Sequence, residues 1–231
     1  MISASEWKNI DTVLLDMDGT LLDLHFDNYF WLKHMPQRLA EARGISVEQA
    51  LKLVNPIFSA EYGKLHWYSI DFWAEQTKLD IESLKREVSH LIQFRPQAQT
   101  FLKALREHRK KVLLVTNADR RSVAIKVAET GLDEYLDAIH CSHDFGAAKE
   151  DPAFWPLFEQ HSGIDKRRSL FIDDTTAVLD AAYNYGIQHV LAIEQPDSKN
   201  SRVLSTEHKR VLNFDQIMPH GVPPTEERHV S

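Results

Sequence analysis

Two aspartates, one residue apart, follow a short apolar run near the start of the chain. The segment reads Thr12-Val13-Leu14-Leu15-Asp16-Met17-Asp18-Gly19-Thr20. Residues two apart in a strand point to the same side, so Asp16 and Asp18 could face one small volume. Neighbouring carboxylates repel each other unless a cation, a shared proton or open solvent relieves the repulsion. Taken alone, the segment is equally consistent with a β-hairpin, because Asp-Gly between apolar runs is a hairpin-turn signal.

Three later segments place polar residues where other apolar runs end: Thr116 and Asn117, then a loop reaching Lys149, then Asp173 and Asp174. Carboxylate oxygens are ligands that Mg²⁺ prefers, and Mg²⁺ commonly pairs one or two of them with substrate phosphate. A lysine and a hydroxyl can hold phosphoryl oxygens, and a carboxylate can attack phosphorus. Taken singly, these residues are a strand-end turn, a solvated lysine and a helix cap. Taken together, they predict phosphoryl transfer with Mg²⁺ as cofactor.

The elements that must position these residues alternate between strand and helix. The strand-like runs are Val13 to Leu15, Lys111 to Thr116, Leu136 to Ser142, Ser169 to Ile172 and His189 to Ile193. Helical spacing of apolar residues follows Pro96, Arg121, Pro152 and Val178. This alternation predicts an α/β fold, a three-layer α/β/α Rossmann-like parallel sheet. Ligands bind beyond the carboxyl ends of the strands in such a sheet, which is where the polar residues stand.

Residues 22–95 have a different texture, rich in aromatic residues and helical spacing. Ser46-Val47-Glu48-Gln49 has the form of a capping box at the start of a helix. We therefore predict an inserted α-helical domain at 22–95 within a core made of residues 1–21 and 96–218. Within that core, residues 213–218 are expected to form a short docked segment. Residues 219–231 are polar and predicted to be a flexible tail.

The four motifs, in this order, resemble those of the haloacid dehalogenase (HAD) superfamily from residue 12 to about residue 193. The helical insert resembles that superfamily's α-helical cap. The motif at Lys149 departs from the superfamily's pattern, because Glu150 stands where a proline is common. The cap segments from His25 to Trp31 and from His66 to Asp71 resemble bacterial nucleotidases of this superfamily that act on GMP and IMP.

The resemblance implies a role for each catalytic and phosphate-binding residue. Asp16 would be the nucleophile that forms an aspartyl-phosphate, and Asp18 would protonate the leaving oxygen and later deprotonate water. Thr116 and Asn117 would bind the phosphoryl group. Lys149 would neutralise that group and steady Asp16.

The same resemblance implies a Mg²⁺ site made of Asp16, the backbone carbonyl of Asp18, and Asp174. Asp173 would support these ligands or take the place of Asp174. The implied substrate is a small phosphomonoester, with a purine nucleoside monophosphate as the first candidate. A phosphatase or mutase acting on sugar phosphates is the main alternative, and a receiver-like signalling domain is a weaker one.

Aromatic residues of the predicted cap include candidates for stacking on a base: Tyr29, Phe30, Trp31, Tyr62, Trp67, Tyr68, Phe72 and Trp73. On a helix, at most two of the first three can face one pocket. For any single residue, packing inside the cap is the favoured interpretation. The purine preference therefore rests on the resemblance and not on aromatic content.

The composition excludes some classes of partner. A net charge of -7 argues against nucleic acid and anionic membranes, which need a basic surface. Cys141 is the one cysteine, so no intrachain disulfide can form, and its place in a strand predicts a buried apolar role. No signal peptide or long apolar run is visible, and a cytoplasmic location is predicted.

Overall fold

Six strands form one parallel sheet in the computed structural model, which describes residues 2–200 and 206–219. The strands are β1 (Thr12–Leu15), β2 (Lys111–Thr116), β3 (Ala138–Cys141), β4 (Ser169–Asp173), β5 (His189–Ile193) and β6 (Lys209–Val211). Their order in the sheet is β3-β2-β1-β4-β5-β6, and every neighbouring pair is parallel. The predicted α/β class and parallel sheet are confirmed. The predicted tail lies outside the described residues from residue 220 onward.

Ten α-helices lie in the described part of the chain. They are α1 (Ala4–Asn9), α2 (His25–Tyr29), α3 (Met35–Arg43), α4 (Val47–Glu61), α5 (Ile70–Thr77), α6 (Ile81–Glu87), α7 (Ala98–Glu107), α8 (Arg120–Thr130), α9 (Phe154–Ser162) and α10 (Thr176–Tyr185). A π-helical turn, Phe30–His34, joins α2 to α3. The Ser46 capping box at the start of α4 is present, with the Ser46 hydroxyl accepting from the Gln49 N–H at 3.2 Å.

Alternate residues of the central strands enter two separate cores, one on each face of the sheet. Leu14 and Phe171 pack with helices α9 and α10. Val13 and Leu15 pack with α1 and α7 and with the helices that follow β1. Strands buried on both faces read as continuous apolar runs, which is why they were visible in the sequence. The result is the predicted three-layer arrangement.

The chain leaves β1 through a turn, and the hairpin interpretation of Asp18-Gly19 is wrong. Strand β1 has parallel neighbours on both sides, β2 and β4, so the segment after Gly19 has no place beside it in the sheet. Gly19 has a φ of +85°, a conformation that residues with a Cβ rarely adopt.

Helices α2 to α6 and short helical turns fill residues 25–91, where no strand is present. The chain enters and leaves this region through two adjacent segments, termed the crossings. Leu22 in the first crossing forms an antiparallel bridge with Phe94 in the second. The Arg95 N–H donates to the Leu21 carbonyl at 2.9 Å, and the Asp23 N–H donates to the Gln93 carbonyl, also at 2.9 Å. Division of the chain into a core and a cap at these crossings stays a prediction.

The C-terminal part of the sheet contains one strand that the sequence did not predict. Strand β6 has only three residues, and Lys209 and Arg210 are exposed, so no apolar run marks it. The docked segment expected at 213–218 is confirmed, because Phe214 and Ile217 are fully buried. No helix in the described ranges is both long and apolar enough to cross a membrane.

Candidate active site

The register of the sheet places Asp16 beside Asp173. Leu15 pairs with Ile172 across β1 and β4, and the Asp16 N–H donates to the Ile172 carbonyl at 3.0 Å. The buried Lys149 lies between the two carboxylates. Its Nζ is 2.5 Å from Asp16 Oδ1 and 2.7 Å from Asp173 Oδ2. Three residues from distant parts of the chain, all predicted from the sequence, are therefore in direct contact through Lys149.

The charges of this cluster perturb each other strongly. Burial raises the pKa of Asp16 to about 7, with repulsion from Asp173 adding to the rise and Lys149 opposing it. Burial alone would lower the pKa of Lys149, but Asp16 and Asp173 hold it above its ordinary value. Lys149 is thus a cation at neutral pH, held between two carboxyl groups.

Asp174 completes a cluster of carboxylates that suits a divalent cation. Oxygens of Asp16, Asp173 and Asp174 lie within 4.8 Å of one another. A Cβ placed on Gly19 would lie 2.6 Å from Asp174 Oδ2, so the backbone at Gly19 must lack a side chain for this carboxylate to sit there. Clustered carboxylate oxygens are the donor set that Mg²⁺ prefers, and the residues present fit this ion.

Asp173 uses both of its oxygens within the protein. Oδ2 accepts from Lys149, and Oδ1 accepts from the Thr175 N–H at 2.8 Å. These contacts suit a residue that holds Lys149 in place.

Asp18 lines the same cavity as Asp16 but has a different lysine partner. Its Oδ1 is 2.5 Å from Lys126 Nζ, and this lysine also contacts Asp27 Oδ2 at 2.7 Å. Burial raises the pKa of Asp18 to about 6; the nearby Asp27 adds to the rise, and Lys126 opposes it. Sequence reasoning missed Lys126 and Asp27. The available signal was a lysine three residues after the buried Val123, on the apolar side of α8.

Thr116 and Asn117 lie at the end of β2, where the sequence predicted them. The Thr116 hydroxyl accepts from the Ala118 N–H at 3.1 Å, and Thr116 lines the cavity. The Asn117 amide shapes the neighbouring loop: Oδ1 accepts from the Lys149 N–H at 2.9 Å, and Nδ2 donates to Glu150 Oε2 at 2.8 Å. Glu150, which replaces the proline common in the family, is therefore part of a hydrogen-bonded loop.

A cavity of about 260 Å³ joins these polar residues to the helices at 25–91. Its aromatic lining consists of Trp31, Phe58, Tyr62, Trp67 and Tyr68. Four of these were candidates from the sequence, and Phe58 was missed. The candidates Tyr29, Phe30, Phe72 and Trp73 do not line it, and Phe30 and Trp73 are buried in the helical core. Trp31 alone of the first three faces the cavity, within the predicted limit of two.

Comparison with known proteins decides the family. The sequence model described as haloacid dehalogenase-like hydrolase matches residues 10–186. The chain belongs to the haloacid dehalogenase-like hydrolase family. The prediction of a hydrolase of this family is confirmed.

Two curated haloacid dehalogenase-like relatives match most of the chain. GMP/IMP nucleotidase YrfG from Escherichia coli K12 is 38% identical over 213 residues, which cover 92% of this chain and 96% of the relative. The protein of the same name from Shigella flexneri gives the same values.

Solved structures share the haloacid dehalogenase-like fold. A HAD phosphatase from Thermococcus onnurineus has a TM-score of 0.74 and 21% identity, covering 90% of this chain and 95% of its own. The L-2-haloacid dehalogenase from Xanthobacter autotrophicus has a TM-score of 0.56 and 19% identity, covering 80% and 78%. At these identities the structures establish the fold and leave the reaction to other evidence.

Proposed function

We propose that the chain is a Mg²⁺-dependent phosphatase that hydrolyses purine nucleoside 5′-monophosphates, with GMP or IMP as substrate. The observation that carries the proposal is the cluster of Asp16, Lys149, Asp173 and Asp174 at the carboxyl ends of adjacent strands. It combines a nucleophile, a fixed cation and clustered carboxylates at one end of an aromatic-lined cavity. Phosphoryl transfer depends mainly on such positioning and charge neutralisation.

In the proposed reaction, a carboxylate oxygen of Asp16 attacks the phosphorus atom and the bond to the nucleoside 5′-oxygen breaks. Asp18 donates its proton to that oxygen as the nucleoside leaves. Asp18 then takes a proton from water, whose oxygen attacks the phosphorus of the aspartyl-phosphate. Cleavage of the acyl-phosphate bond releases phosphate and restores the Asp16 carboxylate. The proton that Asp18 takes from water in the second step replaces the one that it gave to the leaving oxygen in the first.

The surrounding residues balance charge during these steps. Lys149 remains protonated beside Asp16 and neutralises the phosphoryl oxygens, while the Thr116 hydroxyl donates to one of them. Asp173 and Asn117 hold Lys149 from its side chain and its backbone, respectively. Mg²⁺, when bound by Asp16, Asp174 and the Asp18 carbonyl, would supply further neutralisation of the phosphate charge. We assign Asp173 to Lys149 and not to the metal because both of its oxygens already accept hydrogen bonds.

The substrate proposal rests on the cavity together with the nucleotidase relatives. Trp31, Phe58 and Trp67 line the cavity, and aromatic side chains are the groups on which bases stack. The relatives that share 38% identity over nearly the whole chain are named for GMP and IMP. We further propose that residues 22–95 act as the cap that selects the leaving group, and that the protein is cytoplasmic.

Phosphate release from a panel of nucleoside monophosphates and sugar phosphates, with Mg²⁺ or with EDTA, tests the proposal. We expect GMP or IMP to be hydrolysed fastest and EDTA to abolish turnover. Asp16→Asn should lower turnover by at least about 10⁴-fold because it removes the nucleophile. Asp133→Asn, the same change at an exposed site, is the control. Comparable activity in Asp16→Asn would contradict the nucleophile, whereas preference for sugar phosphates would contradict only the substrate.

A further inference from the structure

A buried chain of alternating charges runs from Asp18 into the helices at 25–91. Lys126 Nζ contacts Asp18 Oδ1 at 2.5 Å and Asp27 Oδ2 at 2.7 Å. The other oxygen of Asp27 accepts from Lys85 at 3.2 Å. The side chains of Lys126 and Lys85 are only 2% and 4% exposed, respectively. This chain of charges has no part in the mechanism described above, except through Asp18.

The members of the chain of charges come from separate parts of the fold. Lys126 lies on α8, which follows β2 in the chain, whereas Asp27 lies on α2 and Lys85 on α6. Lys126 therefore joins the proposed acid and base to the first helix after the crossing at Leu22. The ring of Phe26 lies 5.2 Å from Lys126 Nζ and shields this contact from one side.

Stability alone is a weak reason for such an arrangement. Taking two lysines and two aspartates out of water carries a large desolvation penalty, and apolar side chains of similar size commonly stabilise a protein as well or better. A lysine that holds one oxygen of Asp18, however, restricts rotation of the carboxylate that must meet the leaving oxygen. General acid catalysis requires that geometry before any other property.

We propose that Lys126 is a positioning residue that holds the Asp18 carboxylate in its working orientation, and that Asp27 fixes Lys126 from the helical side. The inference rests on the proposed function, because it takes Asp18 as the general acid. It predicts a defect in protonating the leaving group and not a general loss of activity.

Comparing two esters isolates this defect. The guanosine of GMP leaves as an alkoxide that needs a proton, whereas p-nitrophenyl phosphate releases a stable p-nitrophenolate that does not. The value of kcat/KM reports the steps through departure of the leaving group. We expect Lys126→Met to lower kcat/KM for GMP by about 100-fold, within the range of general acid catalysis, and by less than about 10-fold for p-nitrophenyl phosphate.

Three variants calibrate the comparison. Lys126→Arg keeps a cation beside Asp18 and should retain the wild-type ratio of the two kcat/KM values within about 5-fold. This variant tests the inference even if Lys126→Met folds poorly. Lys85→Met removes an equally buried lysine that contacts Asp27 but not Asp18, and should leave the ratio unchanged. Asp27→Asn should shift the ratio in the same direction as Lys126→Met, and should add nothing in the double variant.

The outcomes separate this inference from the proposed function. Asp18→Asn should show the largest shift in the ratio. If Asp18→Asn lowers both esters equally, its acid role fails and the positioning role fails with it. If Asp18→Asn shifts the ratio but Lys126→Met lowers kcat/KM for both esters alike, only the positioning role is overturned. An equal shift in Lys85→Met would likewise overturn it, as would additive effects of Asp27→Asn and Lys126→Met.

Discussion

Gly19 shows how a missing side chain shapes the candidate metal site. Its φ of +85° is unfavourable for other residues, and a Cβ there would meet the Asp174 carboxylate at 2.6 Å and Pro196 Cβ at 2.9 Å. The glycine therefore serves both the turn after β1 and the position of a carboxylate from the loop after β4. A Cβ at position 19 could not rotate away from Asp174, because the backbone of the turn fixes its direction.

A glycine-to-alanine pair separates these two demands. Gly44 has a φ of +63°, and a Cβ added to it would have no neighbouring atom within 4 Å, so Gly44→Ala adds backbone strain alone. We expect Gly44→Ala to lower the free energy of unfolding by about 1–2 kcal/mol, and Gly19→Ala to lower it by at least as much. Gly19→Ala alone should also lower kcat and raise the Mg²⁺ concentration for half-maximal rate by at least about 10-fold. Denaturant unfolding and a Mg²⁺ titration of activity measure the two effects, and equal activity loss in both variants would contradict the clash with Asp174.

Sequence reasoning at the residue scale succeeded where a residue follows an apolar run. Asp16, Thr116, Lys149 and Asp173 were found in this way, and the structure brings them together. Lys126 was not found, because its partners Asp18 and Asp27 lie about 100 residues away in sequence. Its spacing three residues after Val123 hints that the lysine faces inward, but it does not identify so distant a partner.

At the scale of elements, the turn before α5 contacts the loop that carries Lys149. The Tyr68 hydroxyl donates to Glu150 Oε1 at 2.6 Å, and Asn117 holds the other oxygen of the same carboxylate. Burial raises the pKa of Tyr68, so it remains a hydrogen-bond donor at neutral pH. A second contact nearby joins the Ile70 N–H to Asp119 Oδ2 at 3.3 Å. These contacts fix the helices at 25–91 over the ends of β2 and β3.

Tyr68→Phe tests the contribution of this contact to substrate binding. A hydrogen bond to a charged group contributes about 1.5–3 kcal/mol, so its loss should raise KM for GMP by about 10-fold or more. We expect kcat to change less, because Glu150 and Asn117 still hold the Lys149 loop. Steady-state kinetics provide the measurement. Tyr62→Phe is the matched control, since Tyr62 lines the same cavity with its side chain mostly exposed. A KM change of the same size in both variants would contradict a specific role for the Tyr68 hydroxyl.

Elements with an apolar run or a capping signal were predictable, and those without one were not. Strand β4 and the helix after Ser46 have such signals. Strand β6 has two charged residues among three, and its pairing depends on the edge that β5 offers. The start of α9 also differs slightly, since the helix begins at Phe154, two residues after the expected Pro152. The cap aromatics were harder to sort, because their direction depends on packing and on the π-helical turn that carries Trp31.

At the scale of the whole molecule, the carboxylate cluster opposes the stability of the fold. Asp16, Asp173 and Asp174 lie close together, Lys149 contacts Asp16 and Asp173, and burial raises the pKa of both of these residues. A cation bound to this cluster in the folded state has no equivalent site in the unfolded chain. Mg²⁺ should therefore raise the unfolding temperature as well as support activity.

Thermal unfolding with and without Mg²⁺ tests this linkage without measuring turnover. At a Mg²⁺ concentration of 100 times Kd, the expected stabilisation is about 2.7 kcal/mol. Asp174→Asn should abolish most of the increase because it removes a proposed ligand, whereas the exposed Asp133→Asn should retain it. An equal increase in Asp174→Asn and the unsubstituted protein would contradict the assignment of Asp174 to the metal.

The paired crossings at Leu22 and Phe94 have a consequence for how such a protein can change over time. The Arg95 N–H and the Leu21 carbonyl are 2.9 Å apart, and Arg95 also donates from its side chain to the carbonyls of Gln195 and Leu212. A short turn could thus close the chain where helices α2 to α6 are now inserted. An insertion of a different length or sequence can be exchanged at this one point while the sheet remains intact. Such an exchange would have to keep or replace only the few contacts that the helices make with the site, such as those of Asp27 with Lys126 and of Tyr68 with Glu150.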